Sequence, residues 1–363
     1  MKTKKAGISI FLNLIIFILS FVFTLSIQGS EDNASSEKSL GKAYRIITDM
    51  AGRKVKIPVN ISKVLSTSPP PTTFIYMLAP EKLGGWVAAP SKAASKILPK
   101  EYHNIPTFGW GRRSTNYESY IAAKPDLVFI GVEVELDPSR AETVQEKFGS
   151  IPVIGIENSR NALGYANTIS FMGDVLGVPD RAKVLNDYYL GVLKEVQDKV
   201  AKIPDDKLTR IYYAEGNNGL SSDPSGSCHS QLIDICRGNN VAVCTNSSVS
   251  GMTEVTMESV LMWKPDVIIT TSRNFINLVY EDKSWKMIPA VKNRKVYLTP
   301  SQPFNWFDRP PGVNRIVGIP WTAHILYPDI FTEEWFRKKA KRFYSIFYHY
   351  DLTDEELTAL LKD

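Results

Sequence analysis

The sequence predicts an α/β protein: two Rossmann-like lobes with mainly parallel sheets, joined by a long α-helix. Three observations carry this expectation. Short buried apolar runs alternate with helical segments in both halves of the chain, the pattern of parallel strands with helical crossovers. One unit of sequence recurs at a constant offset of 140 residues. Between the halves lies a stretch with helical periodicity and no strand signal. A length of 363 residues also suits two cores rather than one.

The chain opens with Lys2, Lys4 and Lys5 before an apolar run from Ile8 to about Ile27, followed by polar residues from Gln28 to Asn33. A basic head, an apolar run and a polar flank read as an export signal over residues 1–29. The run is also long enough to span a bilayer and lacks a clean small-x-small cleavage site, so an uncleaved N-terminal anchor fits the same residues. No cysteine follows it, which excludes lipid attachment at such a residue. Residues 30–43 are polar and read as a flexible leader.

Residues 44–160 form the expected N-terminal α/β lobe. Tyr44–Asp49 and Lys54–Ile57 flank Gly52 as a hairpin. Strand runs then start at Lys63, Leu83, Asp126 and Pro152, each ending in turn residues. Residues 161–203 are the helical linker, broken at Gly177-Val178-Pro179-Asp180. Beyond the break, Ala182, Leu185, Tyr188, Tyr189, Val192, Leu193, Val196 and Val200 line one face of a helix from about Asp180 to Lys202. Residues 204–330 repeat the strand–helix alternation as a C-terminal α/β lobe, with strand runs at Arg210, Asn240, Asp266 and Lys295. Residues 331–363 read as amphipathic C-terminal helices.

The repeat pairs Asn116-Tyr-Glu118-Ser119 with Thr256-Met-Glu258-Ser259, and Lys124-Pro125-Asp126 with Lys264-Pro265-Asp266. In each copy Asn116 or Thr256 caps a helix, a glutamate in the first turn favours the helix dipole, and a proline ends the helix before a buried strand. Capping alone accounts for either glutamate singly; their recurrence at matched places points to a shared role.

Composition narrows the partners. A formal charge of +5 without blocks of like charge gives no footprint for nucleic acid. Cys228, Cys236 and Cys244, close together in an exported chain, predict one disulfide among the three, with the pairing open. Their spacing matches no recognised metal site. The four histidines are scattered, and His229, beside Cys228 on the first loop of the second lobe, is the one weak metal-ligand candidate.

Several stretches resemble the substrate-binding proteins of ABC importers that use a rigid interdomain helix, the iron-siderophore, haem and cobalamin group. These are Ile47–Pro58, Lys63-Val-Leu-Ser66, both Lys-Pro-Asp segments, Gly238–Ala242, Arg309-Pro-Pro-Gly-Val-Asn314-Arg315 with Trp321, and Leu326-Tyr-Pro-Asp329. The resemblance spans roughly residues 45–330. It implies a periplasmic or extracytoplasmic monomer without intrinsic cofactor, whose cargo is a small-molecule metal chelate, a ferric siderophore first, with cobalamin, haem or a nickel chelate as alternatives. It also implies an ABC permease dimer and its cytoplasmic ATPase as partners, with Glu118 and Glu258 docking to the permease.

In facing α/β lobes, ligands lie beyond the carboxyl ends of the strands. That rule selects Trp110, Arg112, Arg113 and Glu133 on the first lobe, and Glu215, Arg273, Trp306, Phe307 and Arg309 on the second. Aromatic faces can cover a flat chelate and arginines can pair with its acids; equally, Phe304, Trp306 and Phe307 can form a packed cluster under the C-terminal helices. A competing reading is an exported enzyme acting on a metal chelate. It lacks support, since the sequence has no Gly-x-Ser-x-Gly elbow, no His-Glu-x-x-His and no phosphate loop. An anchored sensor or adhesin rests on the N-terminal run alone.

Overall fold

A computed structural model describes residues 43–109, 116–132, 138–157, 160–243 and 251–362. The leader and the signal or anchor expected over residues 1–42 lie outside the described residues. The fold begins with the hairpin, β1 (Tyr44–Thr48) against β2 (Lys54–Pro58). Its turn is closed by Asp49, whose carboxylate accepts from the amides of Ala51 and Arg53 and from the Arg53 guanidinium. The same carboxylate accepts from Gly155 N at 3.0 Å, which fastens the hairpin to the first sheet.

That sheet is parallel, in the order β3 (Val64–Ser66), β4 (Leu127–Val132), β5 (Val153–Glu157). Helix α1 (Pro69–Leu78) follows β3, α2 (Tyr117–Ala122) leads into β4, and α3 (Pro138–Phe148) joins β4 to β5. The run expected as a strand at Leu83 makes only isolated bridges, Val64 to Leu83 and Trp86 to Thr107. Gly84-Gly85 within it lets Lys63, Pro106 and Phe108 approach where a Cβ would stand.

Helices α4 (Tyr165–Leu176) and α5 (Pro179–Val200) follow. They separate where the sequence breaks: Gly177 adopts φ +73° and Val178 N reaches back to Gly173 O at 2.7 Å. Pro179 then opens α5, where its missing N–H costs nothing. The predicted stripe, Ala182 through Val200, faces inward against α4, α10 (Arg315–Leu326) and α11 (Glu333–Phe347), and each fully buried aliphatic there contributes about 1.5–3 kcal/mol. The opposite face carries Lys183–Asp187 and Lys194–Asp198 pairs in water.

The second sheet is also parallel, in the order β11 (Val296–Leu298), β10 (Val267–Thr270), β6 (Arg210–Ala214), β8 (Asn239–Asn240). A small antiparallel pair, β7 (Ser221–Ser222) with β9 (Thr253–Glu254), lies beyond the end of β6. Helices α6 (Gln231–Ile235), α7 (Met257–Trp263), α8 (Arg273–Val279) and α9 (Pro289–Lys292) connect the strands, and α12 (Asp354–Lys362) ends the chain.

The repeat is preserved in its caps and backbone bonds. Asn116 Oδ1 accepts from Ser119 N at 3.2 Å, and Thr256 Oγ1 accepts from Ser259 N at 3.2 Å. Lys124 and Lys264 both take positive φ, 50° and 45°. Asp126 N donates to Lys63 O and Asp266 N to Arg210 O, each at 2.8 Å. One buried cluster runs from the hairpin through α4, α5 and α10 to α12, and the described residues form one compact unit.

Candidate functional site

Strand β6 buries Tyr212, Tyr213 and Ala214 in the sheet and releases Glu215 just past its carboxyl end, where it is only 1% exposed. The segment between β11 and α10 brings Asp308 and Arg309 to the same point, and Arg309 adopts a left-handed φ of 59°. Arg309 Nε donates to Glu215 Oε1 at 2.8 Å, and Nη2 donates to that oxygen and to Asp223 Oδ2, the latter at 3.1 Å. Asp308 Oδ2 lies 3.2 Å from Arg309 Nε and accepts from Tyr213 OH at 3.1 Å. His229 Nδ1 lies 2.9 and 3.0 Å from the two Asp308 oxygens.

The protonation states follow from these contacts. Burial pushes the Glu215 carboxyl up to about 8, reinforced by its hydrogen bond with Asp223 and opposed by Arg309. Burial would raise Asp223 too, but hydrogen bonds from Glu215, Ser227 and the Met252 amide outweigh it and hold that carboxylate low. A proton on Glu215, shared with Asp223, accounts for both and supplies Glu215 Oε2, which otherwise has no donor. Burial would lower His229, yet the Asp308 and Cys228 bonds carry it up to about 10. At neutral pH two cations, Arg309 and His229, therefore face the Asp223 and Asp308 carboxylates inside the protein.

Arg315, the first residue of α10, is wholly buried. It donates to Phe307 O at 3.0 Å, to Arg160 O at 2.9 Å and to Cys228 O. One guanidinium thus ties Arg160, at the end of the first lobe, to the second lobe at the junction between the sheets. Burial would raise the Cys228 thiol, but its bond to His229 and the charges of His229, Arg160 and Arg315 draw it below the ordinary value. His229, Arg160 and Arg315 thus act electrostatically on a half-buried sulfur.

Of the sequence-derived site residues, Glu215 and Arg309 meet in this cluster, while Arg273 opens α8 on the exposed surface. Trp110, Arg112, Arg113 and Glu133 lie outside the described residues. Trp306 and Phe307 are a correction: both are wholly buried. Trp306 Nε1 donates to Tyr344 OH at 3.1 Å, and Phe307 packs on Tyr213 and Trp321, so these rings are packed core under the C-terminal helices. Cys228 and Cys236 form no disulfide with each other. Cys236 is sealed in the core, its Sγ 3.4 Å from Ile319 O on α10. Cys244 lies outside the described residues. Glu118 and Glu258 are both exposed in the first turns of α2 and α7.

Asp223, Tyr213 and Cys228 were not selected from sequence as ligand residues. Asp223 stands in Ser221-Ser222-Asp223-Pro224, an ordinary turn composition, and acquires meaning only when Arg309 is folded against it. The one available signal was the rule that strand ends carry function, applied one loop further.

Two parallel sheets meeting at a polar junction, braced by a 22-residue helix, form the frame of a two-lobed binding protein. The comparisons agree, and the chain belongs to the periplasmic binding protein family, whose model matches residues 64–303. The molybdate-binding protein MolA of Haemophilus influenzae is 27% identical over 329 residues, 84% of this chain and 91% of that one. An ABC transporter solute-binding protein from Sulfurospirillum deleyianum superposes with a TM-score of 0.79 at 31% identity, over 88% of this chain and 99% of its own. CeuE of Helicobacter pylori, solved with nickel and histidine, shares the fold at a TM-score of 0.65 and 16% identity, over 88% and 99% of the two chains. Proteins of this family are substrate-binding parts of transporters rather than enzymes, and they work extracytoplasmically with a membrane permease and an ATPase.

Proposed function

We propose that this protein captures an anionic metal complex at the junction of its lobes and delivers it to its permease through Glu118 and Glu258. The observation that carries the ligand class is the group of cationic side chains acting on Cys228, namely His229, Arg160 and Arg315. A metal held in an acidic chelator, such as a ferric siderophore, meets these cations with opposite charge, and the family likeness supports the same choice. A bare oxyanion of the molybdate kind is the second reading. MolA supports it, and so does the burial of Trp306 and Phe307, which removes two of the aromatic faces a large chelate would have used.

Tryptophan fluorescence tests both. The chain has seven tryptophans, and the purified protein is titrated with ferric siderophores and with molybdate. Saturable quenching by a ferric siderophore at micromolar concentration supports the first reading; quenching by molybdate alone supports the second. Silence with both removes the junction as the binding site.

A further inference from the structure

The hairpin that opens the fold buries one face and leaves the other in the open. Tyr44, Ile46 and Thr48 alternate outward along β1, and the register sets Ile46 opposite Lys56 and Thr48 opposite Lys54, both exposed. Ile46 is 71% exposed and Tyr44 50%, while Val55 and Ile57 on the inner face are buried. Val59, just past β2, is 51% exposed, and its amide donates to Ala43 O at 2.8 Å. A third apolar side chain therefore stands where the chain enters the hairpin.

The charge on the outer face has one sign. Asp49 is the only acid in the hairpin, and its carboxylate is spent on the turn and on Gly155 N. Lys56 Nζ lies over the Tyr44 ring, 4.7 Å from its centre. Glu142 of α3 borders the same surface groove as Lys54 and Lys56 and pairs with neither. Lysines beside an exposed ring and a branched aliphatic chain match a lipid headgroup layer. The ring and the aliphatic chain suit the boundary of the apolar region, and the ammonium groups suit the phosphates.

The place of this face in the sequence says which surface it meets. Tyr44 opens the first strand, and about 17 residues separate it from Ile27, the end of the apolar run. That connection reaches at most about 60 Å fully stretched. Lys2, Lys4 and Lys5 favour the cytoplasmic side for the other end of the run, so the hairpin emerges on the outer side, close to the lipid.

We propose that residues 8–27 stay in the membrane as an anchor and that the outer face of the hairpin, Tyr44, Ile46, Lys54 and Lys56, rests on the anionic lipid surface beside it. The lipid contact is the second signal that a single anchor lacks, and it sets the orientation of the tethered molecule. It involves neither Glu118 nor Glu258 and does not depend on which ligand the protein carries.

N-terminal sequencing of the protein from its own cell membranes is the first test. A start at Met1 or Lys2 is expected, and a start beyond Ile27 overturns the proposal. The full-length protein is then reconstituted into vesicles of phosphatidylcholine, alone or mixed with phosphatidylglycerol. It carries the polarity-sensitive dye NBD on Ile46→Cys, in a Cys228→Ser, Cys244→Ser background. The same dye on Val184→Cys, on the exposed side of α5, is the control. The dye at position 46 should shift to the blue in phosphatidylglycerol vesicles, and high salt should reverse the shift. Lys54→Gln and Lys56→Gln should each lower the bound-to-free ratio about 5-fold. The dye at position 184 should stay aqueous throughout. Equal behaviour at 46 and 184 overturns the proposal, as does an equal shift in neutral vesicles or a shift that survives both glutamine substitutions together. A shift without vesicles that grows with protein concentration assigns the face to a second copy of the chain and also overturns it. Ferric siderophore or molybdate binding in a sample without the lipid shift refutes this contact alone and leaves the capture function standing.

Discussion

Replacing Arg309 with methionine separates the electrostatics of the cluster from its packing. Methionine keeps much of the aliphatic bulk and, like arginine, is a non-glycine residue at the φ of 59°, so backbone strain is not the variable. Arg309 is about a quarter exposed, whereas the Glu215, Asp223 and Asp308 side chains it touches are 0–2% exposed. Its removal leaves buried carboxylates with His229 as their remaining cation, and stranding a buried charge costs about 3–5 kcal/mol. Glu215 already holds its proton up to about pH 8, so the burden falls on Asp223, kept ionised in the wild type by its hydrogen bonds. In the variant, Asp223 gains a reason to protonate. One additional proton retained by the folded state is worth about 1.4 kcal/mol per pH unit, so up to about 3 kcal/mol of the loss returns between pH 8 and pH 5.5. Urea unfolding followed by tryptophan fluorescence at both pH values measures this. A loss below about 1 kcal/mol at pH 8, or a loss equal at the two pH values, refutes the reasoning.

Other consequences are equally open to measurement. Glu118→Ala combined with Glu258→Ala leaves ligand affinity intact and abolishes uptake in cells; a loss of affinity would remove their docking role. Gly318→Ala places a Cβ 1.9 Å from the Trp306 carbonyl oxygen, so α10 must shift, and denaturation should show a loss of about 1–3 kcal/mol. His229, raised to about 10, adds stability that is complete below its unfolded value near 6.5 and fades as pH climbs to 10. Glu215, raised to about 8, acts in the same direction between about 4.5 and 8, because the unfolded chain releases its proton first. The melting temperature should therefore fall on the alkaline side, and His229→Gln should flatten the fall above pH 8.

Much of the fold could be read from the sequence because its signals are local. The strand runs at Val64, Leu127, Val153, Arg210, Val267 and Val296 are short, apolar and bounded by turn residues, and each became a strand. The α5 stripe is periodic, and the caps at Asn116 and Thr256 act within three residues of themselves. The site was legible only in part. Glu215 and Arg309 emerged because strand ends can be located from sequence. Trp306 and Phe307 misled because an aromatic in a loop has the same local signature whether it covers a ligand or plugs a core. The α11 residue that decides the matter, Tyr344, is 38 residues away from Trp306. The charge balance of Glu215, Asp223, His229, Asp308 and Arg309 has no local signature at all, since it joins segments up to 94 residues apart.

The C-terminal helices have a consequence for how the chain is made. Tyr76 of α1 donates to Tyr348 O across 272 residues, and Arg181 of α5 bonds Met77 O and Ile346 O. The wall of the first lobe is therefore finished by residues 272 positions further along the chain. Without Glu333–Lys362, Tyr76 and the inner face of α5 lack part of their cover. Such long-range closure slows folding and keeps a nascent chain open. Folding of the first half therefore depends on contacts with residues far beyond it in sequence.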